Sequence, residues 1–419
     1  MTIKTFILSA AIMPAIMMQG ANGRYVGGDI SLLPEYEAAG AIYKDFNGEP
    51  IAELLPYLRD NGMNAMRVRL FVNPEDYKGA DKDPNACQDL DYIIPLCKRI
   101  KEAGFALLLD FHYSDTWADP AKQWTPDAWK NLDDDELCGR IYEYTKETLG
   151  SLKKEDIVPD FIQPGNEISF GMLWGAYGSD EKDLKKTFIN SDANWKRLGL
   201  LLDNAVKACK EECPDARIVI HTERVGDIEV QDNFYRRMDS LGVHYDIIGL
   251  SYYPYFHGDI HTLDRSLSSL EVDFPDKDIM IVETGYPYKW EVPGTTQEVD
   301  YPYSEEGQDE FAKALVACLE SHPNVTGLFW WWLEYNAYNT DLSGWYNAPL
   351  FDSTTGKICQ AFKTICSFSG EDSGVEDIGH VKYDNPGVWY DIRGNRVAYP
   401  ENGIFIKDGK KFIIGRRDE

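Results

Sequence analysis

Two short stretches carry glutamates in settings that suit acid–base or nucleophilic chemistry. Phe161–Trp174 reads FIQPGNEISFGMLW, and Ile279–Pro287 reads IMIVETGYP. In each, an apolar run of strand character ends at a glutamate, Glu167 or Glu283, with Gly and Pro close by. Proline removes a ladder donor and glycine allows backbone angles that other residues avoid, so both punctuate a strand end. A carboxylate there is costly to withdraw from water and packs poorly, so its placement needs a reason. In a closed parallel barrel the carboxyl ends of the strands are where chemistry is done. Two carboxylates so placed suit cleavage of a glycosidic bond, one giving a proton while the other attacks carbon or activates water. A single glutamate among 70 acidic residues would read as an ordinary loop acid. Two at matched strand ends, each beside Gly and Pro, outweigh that reading.

From Arg24 onward, strand-like and helix-like segments alternate. Strands are expected at Tyr25–Ile30, Asn64–Val72, Phe105–His112, Phe161–Glu167, Ala216–His221, Ile247–Tyr253, Asp278–Glu283 and Val325–Trp332. Helices are expected between them at Ile51–Asp60, Leu90–Ala103, Asp135–Gly150, Trp195–Glu212, Phe234–Leu241, Asp264–Phe274 and Glu306–Ser321. Eight strands alternating with helices predict an α/β fold, a (β/α)8 TIM barrel. The period of two in Asn64–Val72 (NAMRVRLFV) sets Met66, Val68, Leu70 and Val72 on one face and Arg67 and Arg69 on the other. With the apolar face against helices, both arginines point inward and must meet carboxylates or an open site. Asp110 and His112 share the inward face of the third strand. The loop after it, Tyr113–Pro120, carries Asp115 and Trp117.

The chain has 419 residues and a net charge of −28, which argues against nucleic acid or an anionic membrane as a partner. Its 11 Trp, 25 Tyr and 18 Phe suit either a large core or a cleft in which sugar rings stack. Lys4 before the apolar run Phe6–Met18, then Gly20 and Ala21, reads as a signal peptide over 1–21 and predicts a secreted or periplasmic protein. The run is too short to span a membrane comfortably. The barrel is expected over 22–368, followed at 369–419 by a linker and a small C-terminal β segment. Ser367–Gly374 (SFSGEDSG) has linker composition, and short strands are expected within Val388–Val397 and Gly403–Ile414. The 8 cysteines show no disulfide framework. Cys209 and Cys318 fall on apolar helix stripes and read as buried thiols.

The chain resembles glycoside hydrolase family 53, the arabinogalactan endo-β-1,4-galactanases, over about Arg24 to Ser367. The likeness rests on Arg67–Pro74 (RVRLFVNP), Asp110–Pro120 (DFHYSDTWADP), Gly165–Ile168 (GNEI), Ser251–Pro254 (SYYP) and Val282–Pro287 (VETGYP). It implies a retaining hydrolase cutting β-1,4-galactan side chains of pectin, with Glu167 as acid/base and Glu283 as nucleophile. It also implies Asn166 at the 2-hydroxyl of the attacked sugar. Arg67, Arg69, His112, Asp115, Trp117, Tyr252 and Trp331 complete the implied substrate-binding set. An inward arginine would keep Glu283 charged. The expected partner is a polysaccharide, and the expected state a monomer with no cofactor. Some family members bind calcium near strand eight. Here Tyr335–Pro349 offers only Asp341 among acids, whereas calcium prefers several oxygen ligands, so no metal ligands are named and calcium stays the open alternative.

Three other readings compete. A metal-dependent barrel hydrolase would use Asp110, His112 and His221 as ligands, but the chain has no His-x-His. A sugar-binding protein that had lost its activity would not need both glutamates. An enzyme of the same clan acting on mannan or cellulose would share the strand-end glutamates, and only the loop resemblance favours galactan over it.

Overall fold

The computed structural model describes residues 23–180, 182–188, 191–340, 342 and 349–370, and four short strands between 389 and 414. The expected signal peptide lies outside the described residues, as do Asp341 and residues 343–348 of the loop weighed for calcium. The chain divides into two compact units, Met1–Gly374 and Val375–Glu419.

The first unit is a closed barrel of eight parallel strands in sequence order, with β8 returning to pair with β1. The strands are β1 Tyr25–Asp29, β2 Ala65–Leu70, β3 Ala106–Phe111, β4 Phe161–Pro164, β5 Arg217–Thr222, β6 Ile247–Tyr252, β7 Asp278–Thr284 and β8 Val325–Trp330. Helices stand between them, and several start on an acidic cap. Asp89 accepts from Tyr92 N, and Asp133 and Glu136 form a reciprocal capping box. The helix expected from Phe234 begins earlier, at Ile228, because Asp227 caps it. The sequence reading missed a short helix, Ala361–Cys366, which leads into a 3-10 turn at Ser367–Ser369. Phe368 and Ser369 are buried, so the linker composition that begins at Ser367 misleads there. Cys209 and Cys318 are buried on their helices.

The barrel interior is layered, as strand alternation requires. Its lower part is an apolar plug of Tyr25, Ala65, Ala106, Leu108, Phe161, Val219, Ile247, Met280, Val282 and Phe329. Above the plug the inward residues turn polar: Asp29, Arg67, Arg69, Asp110, Gln163, His221, Ser251 and Glu283, all buried. β1 and β2 approach so closely that a Cβ at Gly27 would lie 1.6 Å from the Ala65 carbonyl oxygen.

Two details decide which side chains reach the cleft. Along β6 the alternation is unbroken, so Ile247, Gly249 and Ser251 face inward and Tyr253 continues that face. Against β7, Leu250 of β6 is paired with Ile281 and the next residue, Ser251, with Glu283. Val282 is therefore the extra residue of a bulge. Val282 closes the apolar plug, and Glu283, one residue on, also faces inward.

In the second unit, Trp389–Asp391, Arg396–Val397, Gly403–Lys407 and Lys410–Ile414 form an antiparallel four-stranded sheet. The turns expected at Arg393–Asn395 and Asp408–Gly409 lie outside the described residues. No helix among the described residues is long and apolar enough to cross a membrane.

Candidate active site

A cleft of about 530 Å³ opens at the carboxyl ends of the strands. Glu167, Glu283, Asn166, Trp117 and Trp331 line it, with Tyr253, Glu223, His257 and Trp332. β4 ends at Pro164, and Gly165 follows at φ +100°, where a Cβ would press on Ile168 at 2.8 Å. Glu167 itself sits at φ +47°, a left-handed conformation that costs a non-glycine residue energy. That turn presents Asn166 and Glu167 side by side at the end of the strand.

Arg67 is the hub. Its Nη1 donates to Asp29 Oδ2 at 3.1 Å, and its Nη2 donates to Asp110 Oδ2 and Asn166 Oδ1, each at 2.8 Å. Nη2 also stands 2.9 Å from Glu283 Oε1, an ion pair whose N–H is not aligned as a hydrogen bond. Tyr253 donates to the other oxygen, Oε2, at 3.2 Å. Asn166 is held from both ends, since its Nδ2 donates to the Ala118 carbonyl at 2.8 Å.

Glu167 has a different neighbourhood. Ser251 Oγ donates to its Oε1 at 2.7 Å, and His221 Nε2 lies 2.8 Å from Ser251 Oγ. His221 Nδ1 lies 3.0 Å from Asn166 Oδ1, 3.2 Å from Gln163 Nε2 and 3.4 Å from Glu167 N. A hydrogen-bonded chain thus links His221, Ser251 and Glu167. Burial and the Arg67 charge hold His221 well below its usual pKa, so the ring stays neutral.

The two glutamates are thus set apart electrically. Withdrawal from water, then Glu283 and Glu223, push Glu167 well above the usual carboxylate range. Burial also raises Glu283, to about 7, but Arg67 opposes the rise. The cationic partner makes Glu283 the one that ionises, while Glu167 retains its proton. Carboxylates pushed apart in this way take different roles. Burial would also raise Asp110, yet Arg67 and His112 hold it below its usual value.

This electrostatics costs stability, and the sign can be tested. Glu283 folded titrates near 7, against about 4.5 when unperturbed. Below pH 4.5 it is protonated in both folded and unfolded states and carries no penalty. As pH rises through 7 the buried charge must form and stability is lost. Glu283→Gln mimics the protonated form. Thermal denaturation of that variant should show no gain near pH 4.5 and, at pH 8, a gain of about 1–3 kcal/mol over the parent. A variant less stable than the parent at pH 8 would contradict the burial argument.

Trp117 and Trp331 both face the cleft, their ring centres 6.0 Å apart and their planes at 64°. Trp117 is anchored by Nε1–H to Asp83 at 2.9 Å. Arg69 does not reach the cleft. It lies beneath the tryptophans, with its guanidinium carbon 4.6 Å from the Trp117 ring centre and 4.7 Å from that of Trp331. His112 is also beneath the surface. Its Nδ1 accepts from Ala118 N at 3.1 Å, and its Nε2 is 3.0 Å from Asp110 Oδ2. Both oxygens of Asp110 accept protein hydrogen bonds, from Gln163 and Arg67, and His221 meets Ser251, whereas His112 Nε2 faces Asp110 without an aligned hydrogen bond.

Besides Arg69 and His112, which lie beneath the cleft and do not line it, two further expected binding residues are corrected. Asp115 points away from the cleft: Oδ1 accepts from Asn73 N at 2.9 Å and Oδ2 from Asp127 N at 2.8 Å, so it ties loops together. Tyr252 is on the helix side of β6, stacked against Phe311, with its hydroxyl donating to the Gly258 carbonyl at 3.0 Å. Tyr253 takes the place expected for it. Strand parity counted from Ile247 would have found Tyr253. Glu223, just past the end of β5, was missed because no Gly or Pro marks it, although an acid at a strand end was itself the signal.

A parallel barrel with two glutamates of opposed electrostatics at the ends of β4 and β7 has the architecture of a glycoside hydrolase. Residues 25–365 match the model of glycosyl hydrolase family 53. Arabinogalactan endo-beta-1,4-galactanase A of Aspergillus niger is 33% identical over 326 residues, covering 75% of this chain and 86% of that protein. The glycosyl hydrolase family 53 catalytic domain of Ignisphaera aggregans superposes with a TM-score of 0.70 at 30% identity, covering 86% of this chain and 99% of that one. A fungal beta-1,4-galactanase structure gives 0.67, also at 30% identity, covering 81% and 98%. The chain belongs to glycosyl hydrolase family 53.

Proposed function

We propose that the protein is an endo-β-1,4-galactanase that cleaves (arabino)galactan side chains of pectin by a retaining double displacement. The observation that carries the mechanism is the asymmetry of the pair. Glu283 touches a guanidinium and a phenol, whereas Glu167 touches only a neutral hydroxyl. Glu167, protonated, gives its proton to the departing glycosidic oxygen while Glu283 attacks the anomeric carbon. A glycosyl–Glu283 ester and a free 4-hydroxyl on the departing chain result; the new reducing end appears only when water cleaves the ester. Glu167, now ionised, takes a proton from water as that water attacks the anomeric carbon and releases Glu283. The Ser251 hydrogen bond stabilises the ionised form of Glu167 between the steps. Asn166, fixed by Arg67 and Ala118, is placed to hydrogen-bond the 2-hydroxyl of the attacked sugar. Trp117 and Trp331 offer apolar faces for sugar rings.

Galactan as substrate is supported by the names of the Aspergillus and other fungal relatives. Secretion is supported by the N-terminal Lys4 and the apolar run behind it. The test is a panel of purified β-1,4-linked polysaccharides. Galactan should be hydrolysed at least about 100-fold faster than mannan or cellulose, since a site built to hydrogen-bond one hydroxyl rejects the wrong isomer by that much or more. Equal or faster cleavage of mannan or cellulose would overturn the substrate assignment.

A further inference from the structure

Away from the cleft, three side chains meet whose atoms are those of a metal centre. A carboxylate oxygen of Asp264, the sulfur of Cys318 and a ring nitrogen of His322 all lie within 4.8 Å of one another. Asp264 belongs to the helix Ile260–Asp273, which precedes β7, and Cys318 to the helix Glu305–Glu320, which precedes β8. Ser321 is still right-handed helical, so Cys318 and His322, one turn apart, project from the same face. His322 comes just before β8 begins, which puts the cluster at the end of the barrel opposite the cleft.

The histidine is held as a ligand would be. Its Nε2 is 3.2 Å from Asp264 Oδ1, and its Nδ1 is 3.0 Å from Glu271 Oε2. The other oxygen of Glu271 accepts from Asn324 N at 3.1 Å, so that carboxylate is fixed in place. A fixed carboxylate behind one ring nitrogen orients the ring and turns the other nitrogen toward a cation. Two carboxylates alone would suit a merely paired histidine, but they do not account for the thiol. Cys318 is 8% exposed, and no hydrogen bond reaches its sulfur among the described residues. Burial, then Asp264, push the thiol up to about 12, so it keeps its proton until a cation replaces it.

The donor set selects the ion. Calcium and magnesium take oxygen ligands, whereas thiolate, imidazole and carboxylate together suit zinc. Zinc bonds of about 2.0–2.3 Å at tetrahedral angles place ligand atoms roughly 3.5 Å apart, a contraction of about an ångström that side-chain rotation covers. The Asp264 side chain is 52% exposed, which gives an ion a way in and leaves the fourth position to water. We propose that Asp264, Cys318 and His322 bind one zinc-type divalent ion, with Glu271 positioning His322, and that the ion ties the two helices together. Binding forms the metal–sulfur bond and releases the Cys318 proton, and any on His322 Nε2, to solvent. The site is independent of the galactanase assignment.

Cobalt(II) titrated into the full-length protein after chelator dialysis tests this. It should bind at one equivalent with a thiolate-to-metal charge-transfer band in the near ultraviolet. Zinc should abolish the band, and excess magnesium or calcium should not. Cys318→Ser should lose the band. Glu271→Gln should keep it and weaken zinc binding about 10- to 100-fold, the usual effect of removing a ligand's outer partner. Asp264→Asn should weaken zinc by at least about 10-fold, and its half-exposed position keeps the test available should Cys318→Ser fail to fold. His244→Ala, in an exposed histidine–aspartate pair outside the cluster, should change neither band nor affinity. No band in the parent protein, or a band that survives in Cys318→Ser, overturns the site. Zinc affinity unchanged in Asp264→Asn overturns it equally, and affinity unchanged in Glu271→Gln removes the positioning role.

Discussion

Replacing Glu167 with Ala should slow hydrolysis of β-1,4-galactan by about 100- to 10,000-fold, because its leaving alcohol needs a proton. An aryl galactoside with a good leaving group needs little help, so its first step should persist and the glycosyl-enzyme accumulate. Added azide needs no general base. It should restore turnover and give a β-galactosyl azide, by displacing the ester oxygen of Glu283 from the α face. Glu283→Ala should abolish turnover of both substrates, a loss of at least about 1,000-fold. Azide would then occupy the vacated position, attack the β-glycoside directly and yield the α-azide. The geometry supports this asymmetry: Ser251 and His221 stand behind Glu167, and Arg67 and Tyr253 hold Glu283. The anomer formed distinguishes the roles. An α-azide from the Glu167 variant would reverse them.

Arg67→Met should be the most damaging change away from the two glutamates. Arg67 is fully buried and is the cation shared by Asp29, Asp110 and Glu283. Removing one member of a buried ion pair leaves an uncompensated charge, which typically costs about 3–5 kcal/mol. Urea denaturation should show a loss of that size at pH 8. Catalysis should suffer separately. Without Arg67 only the Tyr253 hydrogen bond opposes the effect of burial on Glu283, so its pKa rises and the acidic limb of the kcat/KM profile moves to higher pH. Turnover should fall more than substrate affinity, because the charge partner of the nucleophile is lost. Arg67→Lys would not be conservative, since an ammonium lacks the planar fork that reaches several acceptors at once. A stable Arg67→Met variant with an unmoved pH profile would show that the network is not coupled to Glu283.

The barrel was legible because its cues are local and repeated. Each buried strand is a short apolar run, each helix an amphipathic stretch, and eight alternations leave few topologies open. The inward direction of Arg67 followed from the alternation in Asn64–Val72 alone, since Met66, Val68 and Leu70 had to face helices. Glu167 was visible because Pro164 and Gly165 interrupt a strand just before it. What was misread has a common cause. Tyr252 and Tyr253 are adjacent and chemically alike, and only parity counted from the barrel floor separates them. Asp115 carries an oxygen pair suited to substrate, yet two backbone N–H groups, from Asn73 and Asp127, claim it.

The sequence by itself therefore determined the barrel, the strand ends at which the chemistry sits, and the identity of the two glutamates, because these depend on residue type and short spacing. The tertiary structure decided how they work. Alternation from Met280 would send Glu283 toward the helices, and the bulge at Val282 turns it inward. Arg67 gathers partners from four other strands or strand ends, and the sequence separation of those partners, 38 to 216 positions, carries no information about which will meet. The difference in protonation between Glu167 and Glu283 arises from burial and from which neighbours carry charge. Those are sums over contacts made in space, and the chain acquires them only on closing the barrel.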